Sequence, residues 1–178
     1  MHERFVLISG CSGGGKSTLL AELGRRGYAV MEEPGRRIVK HELETGGCAL
    51  PWVDASAFTR RALAMSLADW ENASAYSGWV FFDRGLIDAA SALQRLTGRP
   101  VLAQLSSTHP YHRQVFLTPP WPEIYAGDAE RRHTFEAAVE EYERLKQALP
   151  ARGYQVTDLP KTTVSERADF ILAAIGAS

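Results

Sequence analysis

The chain opens on an unbroken apolar run, Arg4-Phe5-Val6-Leu7-Ile8, and after a glycine-rich stretch Leu19, Leu20 and Leu23 recur at helical spacing. Continuous apolar runs fit strands buried on both faces of a parallel sheet, and three-and-four spacing fits a helix with one apolar side. The same alternation repeats down the chain. Tyr28-Ala29-Val30-Met31, Trp79-Val80-Phe81-Phe82, Arg113-Gln114-Val115-Phe116-Leu117 and Tyr154-Gln155-Val156-Thr157 are the further predicted strands.

Between them the pattern predicts helices. One spans Gly35 to Leu43 and stops at Gly46-Gly47. Another runs from an Asp54 N-cap to about Tyr76, with Phe58, Ala62 and Met65 beside Leu63, Leu67 and Trp70 as a broad stripe assigned mostly to core. Leu86 to Leu96 is closed by Gly98, and a helix from Phe135 turns Phe135, Val139, Tyr142 and Leu149 to one side before Pro150. The last is opened by Thr163 and Glu166 at capping-box spacing, with Val164, Ala168, Ile171, Leu172 and Ile175 inward. Residues 101–108 have weak helical character and read as a connection. Five strands alternating with helices predict a three-layer α/β domain with a parallel sheet.

Composition narrows the partners. At 178 residues the chain is sized for one domain, 1–178. A net charge of -1 and no basic run longer than two residues argue against an obligatory nucleic-acid or membrane partner, so a small molecule is expected. The first residues lead straight into a strand without a signal-type apolar stretch, and no apolar run nears a membrane span; a cytoplasmic protein is the expectation. Cys11 and Cys48 are read as free thiols.

The chemistry centres on Gly10-Cys11-Ser12-Gly13-Gly14-Gly15-Lys16-Ser17-Thr18, which fits G-x-x-x-x-G-K-[ST] between a strand and a helix. Glycines let backbone N–H groups turn around phosphate oxygens, Lys16 adds a point charge, and the Ser17 hydroxyl is the expected Mg²⁺ ligand. Asp83-Arg84 closes the third strand. There an Asp beside the phosphate loop can hold Mg²⁺ directly or through water, with Arg84 facing phosphates or an acceptor. Glu32-Glu33-Pro34 ends the second strand, and alternation lets one of the two carboxylates face the pocket.

Other positions stay open. Arg36 and Arg37 either bind an anionic acceptor or solvate a helix face, and Asp88 either meets substrate or serves the dipole at its helix start. The polar stretch 121–133, with Arg131 and Arg132, suits a lid that brings arginine to the phosphates. Leu159-Pro160-Lys161-Thr162 follows the fifth strand, where backbone groups can meet a base. His41, His109, His112 and His133 form no metal set.

On the phosphate loop, Glu32-Glu33-Pro34, Phe81 to Gly85 with Asp88, Phe116 to Trp121 and Asp128 to Arg132, the chain resembles the kinase-like P-loop proteins. Within them it is similar to an AAA-domain ATPase family that looks related to ribosylnicotinamide kinase domains. The resemblance implies strand order 2-3-1-4-5, places Arg131 or Arg132 in a lid, and likens Glu33-Pro34 to the Glu-Pro of deoxynucleoside kinases, whose Glu activates the acceptor hydroxyl. Asp83 is the reserve choice for that base. The expected function is an ATP- and Mg²⁺-dependent phosphotransferase for a small hydroxyl-bearing, nucleoside-like acceptor. The alternative is a P-loop ATPase acting as a nucleotide-dependent switch without an acceptor.

Overall fold

Residue alternation along the central strand sorts the protein into layers. In the computed structural model, which describes residues 2–125 and 134–177, β1 (Phe5–Gly10) is buried along its whole length. Phe5 and Leu7 point to one side of the sheet and join Val80, Phe82, Val115 and Leu117; Val6 and Ile8 point to the other and join Phe81 and Phe116. Each such side chain contributes about 1.5–3 kcal/mol by leaving water. The apolar runs are continuous because both faces are covered.

The other strands are β2 (Ala29–Met31), β3 (Val80–Asp83), β4 (Gln114–Thr118) and β5 (Gln155–Asp158). All pairings are parallel and the order is β2-β3-β1-β4-β5, the order the resemblance implies. Helices α1 (Lys16–Arg25) and α7 (Val164–Ile175) cover the Val6 face through Leu19, Leu20, Leu23, Ala168 and Ile171. On the Phe5 face, α4 (Leu86–Thr97), α5 (Val101–Thr108) and α6 (Phe135–Ala148) supply Leu86, Ile87, Ala90, Leu102, Tyr142 and Leu145. The remaining helices, α2 (Pro34–Thr45) and α3 (Ala55–Asn72), pack together beside α4.

Two elements differ from the sequence reading. Residues 101–108 form a full helix, α5, whose single fully buried side chain, Leu102, gives the sequence little periodicity to reveal. In α3 the fully buried line is Thr59, Ala62, Ser66 and Asp69, which shares only Ala62 with the predicted stripe. Phe58, Leu63, Met65, Leu67 and Trp70 are only partly buried. That polar line faces a cavity and α2, whereas apolar spacing registers only a core. Asp54 does cap α3, accepting the Ala57 N–H at 2.9 Å, and Thr163 and Glu166 form the capping box of α7.

Because the strands run parallel, Gly10, Met31, Asp83, Thr118 and Asp158 end at one edge of the sheet. Ligands of open α/β sheets bind beyond that edge. No described helix is long and apolar enough to cross a membrane.

Candidate functional site

The turn after β1 is fixed by contacts that leave no room for side chains. Gly10 has φ 106°, and a Cβ there would lie 2.5 Å from the Thr118 carbonyl oxygen. At Gly14 it would lie 2.7 Å from Thr118 Cβ. Thr118 ties the turn to β4: its carbonyl accepts the Cys11 N–H at 2.8 Å, and its hydroxyl is 3.1 Å from the Cys11 carbonyl it donates to. The Thr18 hydroxyl turns back to the Gly15 carbonyl at 3.0 Å. Cys11 is buried, which pushes its thiol pKa up, and Cys48 is exposed and free.

Lys16 is buried and donates to the Cys11 carbonyl at 2.9 Å. Burial and the nearby Arg84 charge pull its pKa down to about 8, against Asp83, Glu33 and Glu141. Ser17 and Asp83 line one cavity of about 540 Å³ with Glu32, Glu33, Arg36 and Arg37. A hydroxyl and a carboxylate beside a phosphate cradle are the hard oxygen donors that Mg²⁺ takes, with phosphates and water completing its shell. The residues present fit that ion. Among the described residues no cluster of three or more His, Cys, Asp or Glu is suited to hold a metal alone.

A second cavity of about 150 Å³ opens beside the loop at Ser12. Pro34, Val39, Pro51 and Phe58 form its apolar side, and Glu33, Ser66 and Asp88 are among its polar groups. The Ser66 hydroxyl is buried and makes no hydrogen bond within the protein. Both carboxylates line the first cavity, contrary to the expectation that only one would face the pocket, because β2 ends at Met31 and strand alternation does not extend to them; Glu33 alone also lines the second. The two arginines of α2 divide similarly: Arg36 borders both cavities, and Arg37 pairs with Asp69 of α3.

Arg84 lines the second cavity and has φ 57°, the one described non-glycine residue in the left-handed region. It donates to both oxygens of Glu141, at 2.9 and 3.1 Å, and to the Gly10 carbonyl at 3.1 Å. Glu33 lies 3.5 Å and Asp88 3.4 Å from it. Burial opposes its charge, but these carboxylates outweigh burial and raise its pKa, while Arg84 in turn holds Glu141 below the usual carboxylate range against burial. Asp88 accepts from the Ser9 hydroxyl and from the Gly85 N–H at 3.1 Å. It therefore caps α4 and also lines the second cavity. Burial raises its pKa against the Arg84 charge.

The structure thus brings Lys16, Ser17, Glu33, Asp83 and Arg84 together. Arg131 and Arg132 lie outside the described residues, as does His133. His109 packs edge-on against Trp70, and His112 accepts the Gln114 N–H at 3.1 Å. Two charged residues were not anticipated from sequence. Glu141 lies one residue before the inward Tyr142 and four before the buried Leu145, a position on the inner side that its charge concealed. Arg167, in the first turn of α7, is buried beside the apolar Ala168.

A protein-family model described as AAA domain matches residues 5–167. No curated protein matches the sequence. Among solved structures, deoxyadenosine kinase from M. mycoides with bound dATP shares 14% identity and a TM-score of 0.64, covering 97% of this chain and 99% of its own. The same enzyme with products dCMP and a flexible dCDP gives 15% and 0.67, covering 98% and 100%. Shikimate kinase from Acinetobacter baumannii with shikimate gives 15% and 0.56, covering 98% and 93%. These likenesses fix the fold as that of the kinase-like P-loop proteins, and the family match, spanning most of the chain, establishes that it belongs to this AAA-domain family.

Proposed function

We propose that the chain is an ATP- and Mg²⁺-dependent phosphotransferase acting on a small hydroxyl-bearing acceptor of nucleoside-like size. One observation carries the choice over an ATPase switch: a walled cavity, distinct from the one bordering Ser17 and Asp83, meets the phosphate loop at Ser12 and shares Glu33 with it. A switch that hydrolyses nucleotide has no need of such a chamber. The fold relatives are kinases found with dATP, dCMP or shikimate bound, which agrees with this reading.

In this reading the loop amides and Lys16 bind the β and γ phosphates, and Ser17 and Asp83 hold Mg²⁺. The ion, when bound, offsets charge on the phosphate oxygens. Phe58, Pro34 and Val39 press on a ring of the acceptor, and the Ser66 hydroxyl binds a polar group on it. Glu33 orients the acceptor hydroxyl and takes its proton as that oxygen bonds to the γ phosphorus. The bond from the γ phosphorus to the β–γ bridging oxygen breaks, and ADP carries away that electron pair. Arg84, with Arg131 or Arg132 from the lid, neutralises charge on the transferred group.

The test is ADP release across a panel of nucleosides and small polyols. Acceptor-dependent release with a phosphorylated acceptor as product is expected, and it should vanish in Lys16→Ala with the fold intact. Release independent of every acceptor would sink the proposal in favour of the switch.

A further inference from the structure

Arg167 is 2% exposed and projects from α7 onto the back of the phosphate loop. It donates to the Gly14 carbonyl at 3.0 Å and to the Gly15 carbonyl at 3.4 Å. Its guanidinium carbon lies 5.7 Å from the Trp121 ring centroid. The fit is tight: a Cβ on Gly15 would come within 2.8 Å of one guanidinium nitrogen.

Nothing among the described residues balances the charge. Among the described residues no carboxylate lies within ion-pair distance of Arg167, and its Nε has no hydrogen-bond partner. The acidic neighbours on its helix are engaged elsewhere, Glu166 with the Thr162 and Thr163 hydroxyls and Asp169 with Arg26. A buried cation without a counter-ion is costly unless an anion joins it.

In a trans peptide the carbonyl and the following N–H point in opposite directions. A donor seated on the outer carbonyls of Gly14 and Gly15 therefore turns the N–H groups of Gly15 and Lys16 towards the interior of the loop. It also polarises both peptide units so that those N–H groups become more positive.

We infer that Arg167 is a positioning residue for the nucleotide phosphates: acting through the two peptide units it grips, it holds the Gly15 and Lys16 amides towards an anion in the loop. The anion then supplies, across the loop, the negative charge that the described surroundings of Arg167 lack. The inference rests on the proposed function only for nucleotide binding at the loop and not for transfer to an acceptor.

The experiment is calorimetry with ATP, ADP and inorganic triphosphate on the wild type, Arg167→Gln and Arg167→Lys, beside thermal melts and amide NMR of the ligand-free loop. Loss of a charged donor pair should weaken all three ligands by about tenfold or more in Arg167→Gln. The Gly15 and Lys16 amide resonances should shift, and Arg167→Lys should recover part of the affinity. In turnover, KM for ATP should rise while KM for the acceptor holds. Unchanged triphosphate affinity in folded Arg167→Gln overturns the inference. So does a loss confined to ATP and ADP, since that would put Arg167 on the base. Should Arg167→Gln fail to fold, Arg167→Lys decides, with wild-type triphosphate affinity and unmoved loop amides counting against the role. A wild type that binds none of the three overturns both readings; one that binds them without acceptor turnover overturns the kinase alone.

Discussion

Lys16 gives the site a pH limit that can be worked from its surroundings. Burial and the Arg84 charge hold its pKa at about 8 when no anion is present, against Asp83, Glu33 and Glu141. Phosphate entering the loop favours the charged form, so the bound state retains the proton to higher pH. Because binding selects protonated Lys16, affinity is full below about pH 8 and is lost as pH rises through it. About one lysine in ten is charged near pH 9, so ATP should bind about tenfold more weakly there than at about pH 7. The folded pKa of about 8 lies below the ordinary 10.5, so between those values the unfolded chain holds more protons. Ligand-free stability should therefore rise across the window in which affinity falls. Calorimetry at about pH 8 in two buffers of different ionisation enthalpy should register uptake of roughly half a proton per ATP. The guanidinium introduced by Lys16→Arg does not titrate in this range, so the profile of that variant should be flat. A flat wild-type profile, or proton release, would refute the argument.

Three substitutions probe the rest of the site. Ser66→Ala removes a buried hydroxyl with no partner in the protein, so the ligand-free protein should gain up to about 1 kcal/mol in denaturant titration while KM for the acceptor rises. A loss of stability with unchanged KM would remove Ser66 from the acceptor site. Glu141→Gln breaks the charge pairing of Arg84 at a position about one-third exposed; chemical denaturation should show a loss of about 1–2 kcal/mol. Gly10→Ala sets a Cβ against the Thr118 backbone at φ 106° and should cost about 2 kcal/mol or more, read as a lower melting temperature together with weaker ATP binding.

What the chain declared in advance follows from where its signals are written. The Gly10 to Thr18 loop requires particular residues at fixed offsets, and strands covered on both sides are continuous apolar runs, so these were legible. Glu33, Asp83 and Arg84 were legible for a simpler reason: each stands at or just beyond the end of a strand at the ligand edge. Glu141 and Arg167 carry no such mark. Each is a charged residue on a helix, the commonest sign of a solvated face, and only tertiary packing turns it inward. The line Thr59, Ala62, Ser66 and Asp69 was hidden in the opposite way, since its polar members stand among larger apolar neighbours on α3 that are themselves only partly buried.

The loop is tied in place by the fold: Lys16 and the Thr118 hydroxyl both donate to the Cys11 carbonyl, and the Cys11 N–H is held by β4. A nucleotide entering the loop would have only to replace the carbonyl at Lys16, not to order the turn. Its association rate should consequently be governed by encounter and by ionic strength, leaving dissociation as the step through which differences between nucleotides are expressed.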